Sequence, residues 1–515
     1  MFMSKLRNVS LILSTTFLTL ANALTFSTQV ISQSSIVRDR NSRDVALAEK
    51  IRRVENGLLP PVFVKGRSRR MNLLERMKFY KVPGVTIAVI NDGRIEWAKG
   101  YGVKRAGESE RVTPETLFQA ASISKPVTAI AALHLVQAEA LDLDGNVNDK
   151  LLSWKVPENQ FTTSRKVTLR RLLSHTAGLT VPGFPGYQID QPLPTLLQIL
   201  NGEKPANTPP VRVQFPVGEG FRYSGGGTTV VQQLLIDVTK KAFPALMQEL
   251  VLTKLEMKRS TFEQPLPAKL HTQAAHGHDT EGRTVQGGWY VYPEMAAAGM
   301  WTTASDLALL AIEIQKSKVG KSNKILSAEM IDTMLSPQVR GNGLGFGLDG
   351  EGRSARFFQS GRNKGYICFM TAYQNTGQGL VVMTNTETGG ELIEEIARGV
   401  AKEYHWPDYL LEEKVIKQVD PKVFEDYLGE YEFEAEPGVF ISISTENGKL
   451  FRQVIEPGEA GQIIRGAKAE LLPESETHFF LRDIAVQYVF VKDEKGKVTK
   501  LILRGRGPDR VLKRK

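Results

Sequence analysis

Cysteine is nearly absent from these 515 residues, Cys368 being the only one. A disulfide framework, a C-x-x-C redox pair and a thiolate zinc site are therefore excluded within one chain. With no cysteine near the amino terminus, no lipid-modified cysteine anchor is expected. The nucleophile elbow G-x-S-x-G and the metal motif H-E-x-x-H are missing too, which disfavours an α/β-hydrolase and a zincin. The glycines after Tyr223 are not followed by Lys-Ser or Lys-Thr, so they do not form a phosphate loop. Short repeats are lacking, and with 41% hydrophobic and 24% charged residues the chain is neither disordered, collagenous nor coiled coil.

What is present has the make-up of a soluble globular protein of two or three domains. Domains of this size bury about three quarters of their unfolded surface and need no covalent staples. The 66 basic and 56 acidic residues leave a charge of +10, with clusters at Arg67 to Arg70 and from Arg504 to Lys515. These read as solvated basic stretches, and no nucleic-acid partner is expected. At the amino terminus Lys5 and Arg7 precede the apolar run Val9 to Leu20, and Ala21-Asn22-Ala23 supplies small residues for cleavage. That pattern predicts a signal peptide over residues 1–23. Ser14, Thr15, Thr16 and Thr19 interrupt the run, which is shorter than the ~20 residues of a membrane span. The expectation is an exported protein, periplasmic or extracellular, with no stable membrane anchor.

Apolar residues at helical spacing mark Asp44 to Asn56, stopped by Leu58-Leu59-Pro60-Pro61. The β-rich runs Val85 to Ile90 and Ile95 to Ala98 flank Asn91-Asp92-Gly93 and predict a hairpin. Ser124 to Leu143 is apolar on nearly every side, as in a helix buried in a domain centre. From about 146 to 286 the pattern is helical with Gly/Pro loops, including Leu169 to Ser174 and Thr228 to Val238. Thr303 to Asp306 looks like a helix start before Leu307 to Ile314. Strands follow at Tyr366 to Tyr373 and Leu380 to Thr384. Strands at both ends with helices between predict an α/β domain over 24–418, one sheet with a helical subdomain beside it. Past His405-Trp406-Pro407 come short strands: Gly429 to Phe433, Val439 to Ser444, Lys449 to Ile455, Thr477 to Leu481, Ala485 to Lys492 and Val498 to Leu503. These predict a separate small all-β domain over 419–515, a barrel or sandwich.

Chemistry concentrates at three places. Ser122-Ile123-Ser124-Lys125 opens the buried helix, where unpaired N–H groups and the helix dipole favour developing negative charge. Lysine three residues on lies one turn along the same face, and burial would favour its neutral form, making it a candidate base for Ser122. The spacing alone also arises by chance, but this occurrence stands at the mouth of an apolar helix. Tyr223-Ser224-Gly225-Gly226-Gly227 reads either as a Gly-rich turn with a core tyrosine or as a loop presenting a hydroxyl to a serine elsewhere. Gln359-Ser360-Gly361-Arg362 reads either as a simple loop or as a strand edge offering a backbone N–H to a substrate carbonyl. His276-Gly277-His278-Asp279 lacks a third ligand and is taken as a polar surface loop, and His175 as a structural histidine. No metal and no cofactor are expected.

At these residues the sequence resembles the serine β-lactamase-related hydrolases of the class C type, which include D-alanyl-D-alanine carboxypeptidases, D-aminopeptidases and esterases. The similarity runs from about Ala46 to Pro407. It is carried by Thr116 to Lys125, by Leu172 to Leu179, by Arg222-Tyr223-Ser224-Gly225, by Ala298 to Asp306 and by Met383-Thr384-Asn385. The β tail resembles a lipocalin-like domain. The resemblance implies a β-lactamase/transpeptidase-like antiparallel sheet with an all-helical subdomain and the active site between them. Ser122 would be the nucleophile, Lys125 and Tyr223 would move its proton, and the N–H groups of Ser122 and Arg362 would form an oxyanion hole. Gln359, Gly361 and Gly225 would line the substrate. Family members often carry asparagine where Gly225 stands and lysine or histidine where Gln359 stands. Those departures argue against efficient β-lactam or terminal D-Ala-D-Ala cleavage and toward an ester or a differently presented amide. The expected substrate is a small molecule or peptide, with peptidoglycan fragments among the candidates. The alternatives are a catalytically weak relative that binds cell-wall material, and a covalent penicillin binder that barely deacylates.

Overall fold

The computed structural model describes residues 44–66, 70–339, 341–409, 412–457, 463–482, 484, 486–505 and 509–515. The predicted signal peptide lies outside them. No helix among the described residues is long and apolar enough to cross a membrane. The described residues 44–57 belong to a unit separate from the rest and form a helix over 44–55. Everything below concerns the unit from Leu58 to Lys515.

Its centre is a six-stranded, wholly antiparallel sheet. The spatial order is Arg94–Gly102, Gly84–Asn91, Gly379–Thr384, Tyr366–Tyr373, Arg356–Asn363 and Gly347–Asp349. The first two strands form the hairpin expected from Asn91-Asp92-Gly93. Asp92 and Gly93 both take positive φ, 51° and 67°, the two-residue turn whose twist matches its strands. Gly379–Thr384 is buried at every residue and Gly84–Asn91 at all but its last, so both faces of the sheet centre are covered. The helices Ala304–Lys318 and Gly390–Glu403 pack against it. Thr303 starts the first of these as expected, its hydroxyl accepting from Asp306 N at 3.1 Å.

The helix predicted from Ser124 to Leu143 runs only over Ser124–Gln137. Ala138 caps it and Glu139 turns left-handed at φ 58°, so the apolar residues beyond pack as irregular chain. Eleven of its residues are buried, Lys125 among them, as an all-round apolar helix requires. Beside it lie the short helices Leu169–Leu173, Leu196–Asn201 and Phe243–Met247 and the longer Gly225–Thr239.

The carboxy-terminal strands close into a barrel. The eight strands run 440–446, 429–433, 510–514, 498–504, 487–492, 478–480, 469–473 and 449–457, and the last pairs back onto the first. A ninth, Ile463–Arg465, extends the far end of Lys449–Pro457. Arg510–Arg514 and Ala469–Pro473 were not foreseen, and without them the barrel does not close. Tyr427, Tyr431, Phe479 and Phe490 fill its interior, with Tyr427 stacked on Phe490 at 4.2 Å. An eight-stranded barrel is just wide enough for such filling.

Candidate active site

A 3₁₀ turn, Ala121–Ile123, leads into the buried helix, so Ser122 stands just before the α-helix and not within it. Ala121 adopts φ 48°, a left-handed conformation unusual for a residue with a side chain. Strain of this kind persists where surrounding contacts over-determine the backbone. Here they do: Ala120 N donates to Met300 O at 2.8 Å, and Cys368 Sγ donates to Ala120 O at 3.0 Å. Cys368 is thereby accounted for as a buried packing group, its thiol pushed well up by burial.

Lys125 Nζ lies 3.0 Å from Ser122 Oγ and donates to Ala297 O at 2.8 Å. Lys125 is only 4% exposed, so the position of its amine is set by these two oxygens and by packing. The segment 293–300 bridges the two helices that flank the serine. Gln232 accepts from Ala296 N at 2.9 Å, and Thr128 donates to Ala296 O at 3.3 Å. Asn363 Nδ2 donates to Ala298 O at 3.0 Å, and Met300 N donates to Ser124 Oγ at 3.1 Å.

Tyr223 reaches the same place from the helical subdomain. Lys125 Nζ is 5.0 Å from the centroid of its ring, within cation–π range. His175 packs against the Tyr223 ring, centroids 4.5 Å apart, and accepts from Ser224 N at Nδ1, 3.2 Å away. Burial and the Lys125 charge push the imidazole down to about 3, so it stays neutral and acts as an acceptor. Ser224 is a helix cap: its hydroxyl accepts from Gly227 N at 2.8 Å and donates to Thr180 O at 2.6 Å. The glycines after it are not a flexible loop. They form the first turn of Gly225–Thr239 and lie against neighbours, where a Cβ on Gly225 would stand 2.9 Å from the Phe184 ring and one on Gly226 2.9 Å from Val211.

Gln359, Gly361 and Arg362 lie on the strand Arg356–Asn363, which is next to last in the sheet. Its outer neighbour, Gly347–Asp349, pairs only with residues 356–358, so 359–363 remain an open edge beside the Ala121–Ile123 turn. The two-residue connection Lys364-Gly365 is closed by the pair Asn363–Tyr366. Hydrogen-bonded and non-bonded pairs alternate along an antiparallel ladder. Arg362 opposite Ile367 is therefore a non-bonded pair, and its N–H faces the open edge. Gly361 lets that edge approach, since a Cβ there would fall 2.3 Å from Ala120 O. Gln359 turns its amide onto Ser360 O at 2.9 Å.

The structure thus brings Ser122, Lys125 and Tyr223 together and sets the edge strand bearing Gln359, Gly361 and Arg362 beside the Ala121–Ile123 turn, with Gly225 just past Tyr223. The reading of His276 to Asp279 as a surface loop is corrected. His278 is fully buried, with Ala106 N donating to its Nε2 at 3.0 Å and Nδ1 2.8 Å from Asn385 O. No group of ligating side chains among the described residues could hold a metal ion. Asn363, Gln232 and the 293–300 segment were not singled out as site residues. Only the Ala298-Gly299-Met300 part of that segment carried any sequence signal.

A family model described as Beta-lactamase matches residues 71–434. Protein flp of Staphylococcus aureus strain MW2 is 25% identical over 320 residues, 59% of this chain and 60% of that protein. The chain therefore spans about 60% of that relative's length. Penicillin-binding protein 4* of Bacillus subtilis strain 168 is 23% identical over 444 residues, 79% of this chain and 90% of that one. Among solved structures, the octameric penicillin-binding protein homologue from Pyrococcus abyssi superposes with TM-score 0.56 at 21% identity, covering 86% of this chain and 98% of that one. The penicillin binding protein from Bacillus halodurans gives 0.52 at 20% identity, covering 65% and 99%. These structures share the fold.

Proposed function

Because the chain belongs to the beta-lactamase family, we propose that it is an exported serine hydrolase that forms an acyl-enzyme on Ser122 from a small ester, amide or peptide. The observation that carries this reading is the buried Lys125 amine, 3.0 Å from Ser122 Oγ and anchored by Ala297 O. A serine hydroxyl is a weak nucleophile until a base within hydrogen-bond reach takes its proton.

In this reading Lys125, acting as the free amine, accepts the Ser122 proton as Oγ bonds to the substrate carbonyl carbon. The resulting oxyanion is held by the N–H groups of Ser122 and Arg362, and one such donor supplies about 3–4 kcal/mol of transition-state stabilisation. The proton passes by way of Tyr223 to the leaving oxygen or nitrogen as the scissile bond breaks. Water then attacks the acyl carbon, its proton passing by way of Tyr223 and Lys125 to Ser122 Oγ as the acyl–Oγ bond breaks and the acid product leaves. No cofactor or metal enters. Gly225 and Gln359 place neither an amide nor a cation at the substrate positions, which favours an ester or an unconventional amide over a β-lactam. Cell-wall fragments are the candidate partners outside the cytoplasm, and export rests on residues 1–23.

Intact-mass spectrometry after fluorophosphonate treatment tests the reading. One adduct on wild type, absent in Ser122→Ala, is the expected result. Folded wild-type protein without an adduct overturns it. The second reading, a scaffold that binds cell-wall material, is favoured by the way Gln359 folds back on its own strand. It predicts binding to cell-wall fragments that Ser122→Ala leaves unchanged.

A further inference from the structure

The Glu294 side chain is fully buried, and neither carboxyl oxygen meets hydrogen-bond geometry with any described group. A buried carboxylate without donors is costly, whereas the neutral acid is tolerated. The residue occupies a telling place. Its backbone carbonyl accepts from Ala297 N at 3.0 Å and Ala298 N at 2.9 Å, so it opens the turn Met295–Ala298. The next carbonyls of that turn are the ones that hold Thr128, Lys125 and Asn363.

Resting on the hydrolase reading above, we propose that Glu294 is a positioning residue: as a neutral acid it keeps this turn seated on the nucleophile helix, and loss of its proton withdraws the Ala297 carbonyl from Lys125. The groups facing it can be named element by element. Tyr187 comes from the short strand Tyr187–Gln188, and Tyr292 from its own segment. The nucleophile helix presents Lys125 beyond the turn, and the helix Gly225–Thr239 presents the uncharged Gln232. Burial pushes the Glu294 carboxyl up to about 8, with its own N–H and the Tyr187 hydroxyl drawing it part of the way back. The Tyr187 hydroxyl accepts from Asn207 N at 3.1 Å, which leaves its own proton free to turn toward the carboxyl. When Glu294 ionises, its oxygens must find water or a donor, and the four-residue turn is what can move.

The test measures the second-order rate of fluorophosphonate labelling of the full-length protein from pH 6 to 10, with circular dichroism at each pH. Wild type is expected to lose reactivity about tenfold per pH unit above about 8 while remaining folded. Glu294→Gln, which keeps the shape and cannot ionise, should stay level through that range. Glu294→Met serves the same purpose if the amide variant fails to fold. Tyr187→Phe, lacking the hydroxyl that favours the ionised form, should move the limb to higher pH. An identical alkaline limb in wild type and the Glu294 variants, or no limb in wild type, overturns the proposal. Absence of labelling at every pH instead overturns the hydrolase reading on which it rests.

Discussion

Gly361→Ala probes the contact between the edge strand and the turn that carries Ser122. The added methyl would fall 2.3 Å from Ala120 O, 2.7 Å from Cys368 Sγ and 3.1 Å from Ala121 Cβ. Carbon–oxygen contacts in proteins stand at about 3.3 Å or more, so strand and turn must part by roughly 1 Å. Ala120 cannot swing aside, because its N–H is tied to Met300 O and its carbonyl to Cys368. The displacement therefore falls on the spacing between Ser122 and the Arg362 N–H. A 1 Å misplacement costs on the order of 100-fold in rate, about 2.7 kcal/mol. Overpacking of this kind costs about 1–3 kcal/mol of stability, which leaves a large domain folded. The assay is the fluorophosphonate labelling rate beside ester turnover. Gly390→Ala serves as control, since its added methyl meets nothing within 4 Å. A folded Gly361→Ala protein that labels at the wild-type rate would refute the reasoning.

Four further outcomes are expected. Lys125→Ala should lower turnover by about 10²–10⁴-fold, the range for a removed general base, measured with the ester that wild type cleaves best. Stability should fall as pH rises from about 4.5 to about 8, because native Glu294 keeps a proton that the unfolded chain has released. That gap of three to four pH units corresponds to about 4–5 kcal/mol, which denaturant titrations of wild type would show and Glu294→Gln would lack. Thr303→Ala should cost about 1 kcal/mol by losing the cap on Asp306 N, read as a lowered Tm. Tyr427→Ala should cost about 3–5 kcal/mol in the barrel, where the ring is fully buried on Phe490, and should leave Ser122 labelling intact.

Local patterns were the legible part of this protein. The hairpin at Asn91-Asp92-Gly93 and the helix start at Thr303 depend on residues a few positions apart. The strands Tyr366–Tyr373 and Gly429–Phe433 also lie where their β-branched and aromatic residues placed them. The contact between Ser122 and Lys125 belongs to the same class, because a three-residue spacing at a helix start brings the two side chains together whatever surrounds them.

Other features came from distant parts of the chain, and no short window of sequence contains them. Ala297, 172 residues from Lys125, supplies the carbonyl that anchors its amine. The glycines at 225–227 read as a loop, yet contact with Phe184, Val211 and Thr180 makes them the close-packed start of a helix. His278 looked like a surface histidine and is buried because its partners lie at Ala106 and Asn385. Glu294 carries no sequence signal at all. A glutamate is ordinarily ionised and exposed, and only burial in the folded chain pushes this carboxyl upward. By itself the sequence determined the family, the local elements and the serine–lysine pair, because backbone preference and side-chain spacing act over a few residues. The tertiary structure decided which groups lost water and which backbone atoms came to face Ser122, because desolvation and close packing depend on segments that meet only in the folded chain.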